Sequence, residues 1–372
     1  MSQITFYGAP HSLYSGRVRS YFIKAGLPYF ERPANTEDFV KRVLPQAGNR
    51  HGLPTIETEE GEVIRDGAAI IDHYEAKSGH TFSPSTPKQR VLSRLFDVIG
   101  AEGLLRPAMH YRWNFPEENL DFLTFHFAAL VPNTPQRMER AEKLMQQMRQ
   151  ASQAFGAVAD TFELVEALYE EFLQMLDAHL AEHPYLLGGK PSIGDFGMIA
   201  PLFAHLGRDP KPLALMQKKS PHVFRWVERM NRQDLDVGEF EEKSGDYLPD
   251  DAVPEALIAL LKHIALDFVP ETRAAVNCIN DWIAGQKSLP AETIIERAVG
   301  VGSFEVRGTT VNAIAQPYRF YLLKRVQDEV KGLPEKDRDA VEAMLEACDM
   351  RDLLSMTLSR EIGRKNNREV WL

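Results

Sequence analysis

Cysteine is scarce. Cys278 and Cys348 are the only two in 372 residues, and neither stands in a C-x-x-C pair or near a histidine at metal-ligand spacing. That pattern excludes a zinc finger and a disulfide scaffold, points to no metal site, and fits a reducing compartment. Long apolar runs are missing too: the longest, Phe122 to Val131, is broken by Thr124 and His126, so no membrane span is expected. Positive charge is in deficit, with 43 Lys and Arg against 53 Asp and Glu for a net of −10, which disfavours nucleic acid and anionic lipid as partners. The opening Met-Ser-Gln-Ile-Thr-Phe-Tyr has no basic stretch leading into an apolar core, so a cytoplasmic protein is expected. No internal repeat or low-complexity tract is present. What remains is an ordinary globular composition, 44% apolar and 26% charged, long enough for two or three domains.

The first eighty residues alternate strand and helix signals. Ile4 to Tyr7 reads as a strand, Ser15 to Ala25 as a helix stopped by Gly26, Pro28 to Phe30 as a strand, and Thr36-Glu37-Asp38 as a helix start. Thr55 to Glu57 and Glu62 to Ile64 flank a turn, and a helix follows from Asp66 to about Lys77, which gives the order β-α-β-α-β-β-α. After the Pro- and Ser-rich residues 83–87, helical periodicity takes over at roughly 87–112, 135–155, 160–182, 192–206 and 220–231. An acidic stretch with Gly and Pro, Glu241 to Pro254, marks a second change. The expected organisation is an α+β chain: residues 1–82, a helical domain over 87–245, and a mostly helical extension over 250–372 with one strand-like run at Ser303 to Gly308.

Several residues could carry chemistry. The turn after the first strand holds Ser12-Leu13-Tyr14-Ser15 at a helix N-terminus, where backbone N–H groups favour an anion; the plain reading makes Ser15 the N-cap and Ser12 a spare hydroxyl. Leu53-Pro54-Thr55 opens a strand, and Arg65-Asp66-Gly67 starts the next helix. Arg50 and His51 precede them in a loop, as a solvated pair or a carboxylate partner. Arg106, Met109, His110 and Trp113 fall at i, i+3, i+4 and i+7, one face suited to interdomain packing or to a substrate pocket. Tyr111, Arg112 and Trp113 could stack on a planar ligand. The Phe122 to Val131 run reads as core with His126 inside it, and the cations Arg360, Arg364, Lys365 and Arg368 as a solvated face or a docking segment.

Four of these segments, taken in order, resemble the glutathione transferase superfamily. Tyr7 to Arg19 is similar to its catalytic turn and first helix, and Leu53-Pro54-Thr55 to its cis-proline element. Asp66-Gly67-Ala68-Ala69-Ile70 is similar to its acidic-Ser helix start, and Leu186 to Phe196, with Ser192 and Asp195 as a capping box, to the entry of its buried helix. The resemblance covers residues 1 to about 240 and implies a thioredoxin-like N-terminal domain, an all-helical second domain and a homodimer. It also implies glutathione as co-substrate, Ser12 as the thiol-activating residue, and Leu53, Pro54, Asp66 and Gly67, with Arg50 and His51, as glutathione contacts. A small apolar electrophile would then lie on the Met109, His110 and Trp113 face. Gly67 departs from the pattern because the family carries a serine there, and a lost hydrogen bond to a charge costs ~1.5–3 kcal/mol. Position 12 is not cysteine, which argues against reductase chemistry. The rival expectation is a non-catalytic binding or scaffold protein on the same fold, and an open or a filled groove between Ser12 and Trp113 separates the two.

Overall fold

The computed structural model describes residues 3–234, 239–241 and 245–372. Strand β1 (Ile4–Tyr7) buries Ile4, Phe6 and Tyr7 and leads into helix α1 (Leu13–Lys24). Strand β2 (Tyr29–Arg32) pairs parallel to β1; a π-turn at Phe39–Val43 and the short α2 (Leu44–Gln46) follow. Strands β3 (Thr55–Glu57) and β4 (Val63–Arg65) complete a mixed sheet of order β2-β1-β3-β4, and α3 (Gly67–Ser78) crosses its face. This is the expected thioredoxin-like order, with β4 left at the edge of the sheet.

The second unit is helical. The segment expected as one helix over 87–112 is divided into α4 (Pro87–Val98), a π-turn at Ile99–Gly103 and α5 (Leu105–Trp113). The turn lies where Gly100 crosses Gly197: a Cβ on Gly100 would come within 2.2 Å of the Gly197 carbonyl carbon, so the two backbones meet directly. Helices α6 (Pro116–Ala129), α7 (Arg137–Ala154), α8 (Phe162–Glu182), α9 (Ile193–Ala204), α10 (Pro210–Lys219) and α11 (Pro221–Met230) follow. Helix α9 starts on the expected capping box, in which the Ser192 N–H donates to Asp195 Oδ2 at 2.8 Å; Trp226 Nε1 donates to Asp195 Oδ1 at 3.2 Å. The Phe122 to Val131 run is an amphipathic helix rather than solid core: Leu123, Phe127 and Ala128 are buried, Phe125 is 72% exposed, and His126 is half-buried.

The expected second linker, Glu241 to Pro254, includes residues 242–244, which lie outside the described residues. Beyond it come α12 (Glu255–Gly285), the hairpin β5 (Val301–Val306) and β6 (Thr309–Ile314), α13 (Pro317–Lys331), α14 (Glu335–Ala347), and a last hairpin of β7 (Ile362–Lys365) and β8 (Arg368–Trp371). Both hairpins turn on two residues of positive φ, Arg307 and Gly308 at 49° and 79°, Asn366 and Asn367 at 48° and 61°. Among the described residues no helix is long and apolar enough to cross a membrane.

This extension is built into the body of the molecule. Leu257, Leu323, Leu345 and Trp371 share one apolar cluster with Phe6, Phe96 and Phe196. Buried Arg106 of α5 donates to Asp267 of α12 at 2.6 Å, Arg90 of α4 pairs with Glu329 of α13 at 2.6 Å, and Arg325 of α13 pairs with Asp72 of α3. At the free edge of β4 the Asn367 side chain stands in for a strand: its Oδ1 accepts from the Arg65 N–H at 3.1 Å and its Nδ2 donates to the Val63 carbonyl at 2.8 Å.

Candidate active site

Between the sheet domain, the helical domain and the extension lies an open cavity of about 430 Å³. Its far wall is apolar: Leu105 and Met109 of α5, Phe127 and Leu130 near the end of α6, and Leu144, Met148 and Ala151 of α7. Ser12 stands between this wall and the polar end. Sequence reasoning gave the N-cap of α1 to Ser15; the structure gives it to Ser12, whose Oγ accepts a long 3.4 Å bond from the Ser15 N–H. Ser15 instead accepts from the Ala9 N–H at 3.3 Å and is fully buried. The Ser12 hydroxyl proton is therefore free to turn into the cavity.

Arg112 fixes that turn in place. Its guanidinium pairs with Asp209 through Nε at 2.6 Å and Nη2 at 2.9 Å, and Nη1 donates to the His11 carbonyl at 3.0 Å. It is 4% exposed and committed to protein partners, so it positions Ser12 rather than stacking on a ligand, and Tyr111 is buried as well. Burial pushes the His11 imidazole down to about 3, so that ring stays neutral.

The polar end is shared between the sheet domain and the extension. The Leu53–Pro54 peptide is cis, and Leu53 lies on the cavity wall with Pro54 buried behind it. Asp66 holds φ 88°, a conformation that non-glycine residues keep only where the surroundings enforce it. Its Oδ1 caps α3 through the N–H groups of Ala68 and Ala69 at 3.0 and 3.2 Å, and its Oδ2 accepts from the Tyr318 hydroxyl of the extension at 2.7 Å. Gly67 lies over Arg17, whose Cδ a Cβ would meet at 3.4 Å. Glu369, 1% exposed, accepts from Arg65 Nη2 at 2.9 and 2.7 Å, pairs with Arg364, and has Arg50 Nη1 at 3.4 Å. Gln316, Tyr318 and Arg297 complete this end.

The family description "Glutathione S-transferase, N-terminal domain" matches residues 6–82, and "Glutathione S-transferase, C-terminal domain" matches residues 123–234. The chain belongs to the glutathione transferase superfamily. Similar solved structures include a glutathione transferase from Phanerochaete chrysosporium, at 15% identity over 63% of this chain and 99% of that one, TM-score 0.45. A β-etherase from Sphingobium is 17% identical over 62% and 95%, TM-score 0.41. A GST-like protein from Pseudomonas syringae is 14% identical over 85% and 97%, TM-score 0.40. No curated protein matches the sequence.

On this glutathione transferase fold, Ser12, Arg50, His51, Leu53, Asp66, Gly67, Met109 and Trp113 line one cavity. His110 does not. It is fully buried on the other side of α5, with Nε2 3.1 Å from Glu166 Oε1 and Nδ1 2.9 Å from Asn114 Nδ2. Arg106 also turns away, to α12. The face that meets the cavity is Glu102, Leu105, Met109 and Trp113, rotated from the expected stripe because the helix phase is set by the π-turn and its glycine contact. The tail cations, open to two readings in sequence, form the docking segment: Arg364 and Arg368 bond to the Arg65 and Gly48 carbonyls. Sequence reasoning missed Glu102, Tyr318 and Glu369. Glu102 carried a signal, one turn before Leu105 on a helix already singled out; the other two are brought in by long-range docking with no local signature.

Proposed function

We propose that the protein is a glutathione transferase-like enzyme in which Ser12 stabilises the glutathione thiolate for attack on a small apolar electrophile. The observation that carries the reading is the open cavity running from Ser12 to the apolar wall of Met109 and Trp113. Lowering a thiol pKa from ~8.5 to ~6.5 takes ~2.7 kcal/mol, and a hydroxyl donating to a charged acceptor supplies ~1.5–3 kcal/mol. In this reading Leu53 and Pro54 border the peptide, Asp66, Gly67, Arg50 and His51 meet its γ-glutamyl end, and Met109 and Trp113 receive the electrophile. His110 is left out. The homodimer belongs to the reading too, though β7–β8 and α13 cover the β4 edge and parts of α3 and α4, so two copies would meet through other faces.

One observation favours the rival reading of a non-catalytic binding protein: the Tyr318 hydroxyl already occupies Asp66 Oδ2. Calorimetric titration with glutathione, with ultraviolet detection of bound thiolate at pH 7, separates the two. Binding in the micromolar to low-millimolar range, with a thiolate signal that Ser12→Ala abolishes, is the expected result. No binding at millimolar glutathione turns the assignment to the rival.

A further inference from the structure

The extension brings to the polar end an arginine that no protein group holds. Arg297 lies on the cavity wall in the loop before β5, is exposed, and bonds to none of the described residues. Its backbone is pinned on both sides. The Ile295 N–H donates to the Glu369 carbonyl at 3.1 Å, with the Ile295 side chain buried, and the Val299 N–H donates to the Ala315 carbonyl at 3.1 Å. The guanidinium is therefore offered from a fixed point, and its charge reaches Arg50, Tyr14 and Glu102 inside the cavity.

The groups around it leave cations over. Glu369 is taken by Arg65 and Arg364, so Arg50 has only a long 3.4 Å contact to the same carboxylate. Burial and the charges of Arg65 and Arg297 hold the Arg50 guanidinium below its usual value, as expected of like charges gathered without enough anions to match. Arg112 is spent on Asp209. Among the acids, Asp66 gives Oδ1 to two backbone N–H groups and Oδ2 to Tyr318, three of the roughly four positions that a carboxylate offers. Burial and the Asp66 charge push the Tyr318 phenol well above its usual value, so that hydroxyl stays a donor. Burial also raises Glu102 to about 7, and Glu296 is exposed beside Arg297. An ammonium entering the polar end thus meets an acid that is already bonded, whereas a carboxylate meets guanidinium N–H groups with nothing else to bond.

We propose that the polar end selects its thiol peptide by carboxylate alone: Arg297 of the extension, with Arg50, binds a carboxylate at the γ-glutamyl end, and the amino group beside it is not read. The inference rests on the glutathione reading above and widens it to thiol peptides that lack a free amino group. It also gives the extension a part in ligand binding, because Arg297 lies outside both domain matches.

The test is calorimetric titration of the full chain with three peptides: glutathione, glutaryl-cysteinylglycine, which is glutathione without its amino group, and glutathione diethyl ester, in which both carboxylates are masked. The unaltered protein is expected to bind the first two within about threefold of each other and the ester about 10- to 100-fold more weakly. Arg297→Ala should weaken binding of the first two about 10-fold and shrink the ester penalty by the same factor, and Arg297→Lys should restore part of it. Arg297 is exposed on a loop, so neither change threatens the fold. Tyr318→Phe should create a preference for glutathione over the glutaryl peptide of roughly 2- to 10-fold. A preference of more than about threefold for glutathione in the unaltered protein, or an ester penalty that Arg297→Ala leaves intact, overturns the proposal and leaves the glutathione reading standing. Binding of none of the three peptides at millimolar concentration defeats the glutathione reading and the inference with it.

Discussion

The two ends of the cavity are built in opposite ways. The apolar end comes from neighbouring helices, with Leu105 and Met109 on α5, Phe127 on α6 and Met148 on α7, all within one stretch of about fifty residues. The polar end joins residues 50–67 to residues 297–369 through buried charges: Arg65 to Glu369, Asp66 to Tyr318. Apolar contacts are additive and forgiving, whereas a buried ion pair fails as a unit when one partner is removed. The apolar end should therefore yield gradually to substitution and the polar end abruptly.

The sharpest way to break that contrast is Glu369→Ala, which strands Arg65 and Arg364. A loss of about 3–5 kcal/mol is expected by urea denaturation, together with faster amide exchange in β7, β8 and β4. An unchanged midpoint would mean that the polar end is as forgiving as the apolar one. Next in size is a pH effect. Because the Glu102 carboxyl is raised from 4.5 to about 7 in the fold, its contribution to stability is complete below about 4.5 and is lost as the pH rises through 7, a change of roughly 3 kcal/mol. His11, lowered from 6.5 to about 3, acts in the other direction: its contribution is present above 6.5 and is lost as the pH falls toward 3. The two slopes oppose each other between about pH 4.5 and 6.5, so thermal melts should be nearly flat there, and Glu102→Gln should uncover a rise in stability with pH over that window.

At the apolar end, Met148→Ala is expected to cost only about 1–2 kcal/mol, since the side chain is half-buried, and to widen the range of acceptors turned over, as a panel of electrophiles of graded size would reveal. The smallest effect is expected from Tyr318→Phe. Removing the hydroxyl frees Asp66 Oδ2 for a ligand ammonium, worth about 0.5–1.5 kcal/mol, so glutathione should bind roughly 2- to 10-fold more tightly by calorimetry. Weaker binding would identify Tyr318 as a ligand contact itself.

Most of the sheet domain was legible because its signals are local: alternating Ile4 to Tyr7, the Gly26 stop, the turn before Val63. The helix periods over 160–182 and 192–206 were equally plain. Helix α10 was missed, although Pro210 at its first position is a favourable helix start. The last hairpin was hidden by its charges, since Arg364 and Arg368 earn their place through carbonyls some three hundred residues away. His110 was misplaced by a rotation of less than one residue step about the axis of α5. No periodicity argument can resolve that when a π-turn precedes the helix. Ser12 was found by its position, and its capping role was not, because either serine satisfies the N-cap preference.

The Asn367 contact with β4 spans 302 and 304 positions of sequence. During synthesis from the N-terminus, the sheet domain and the helical domain emerge first, with the β4 edge still unpaired and the polar end of the cavity missing one wall. Only when residues 362–371 have left the ribosome can the hairpin reach back and close that edge. The edge is thus covered by a segment made some three hundred residues after it, and a chain lacking Asn367 carries an open strand edge, a feature that invites association with other chains.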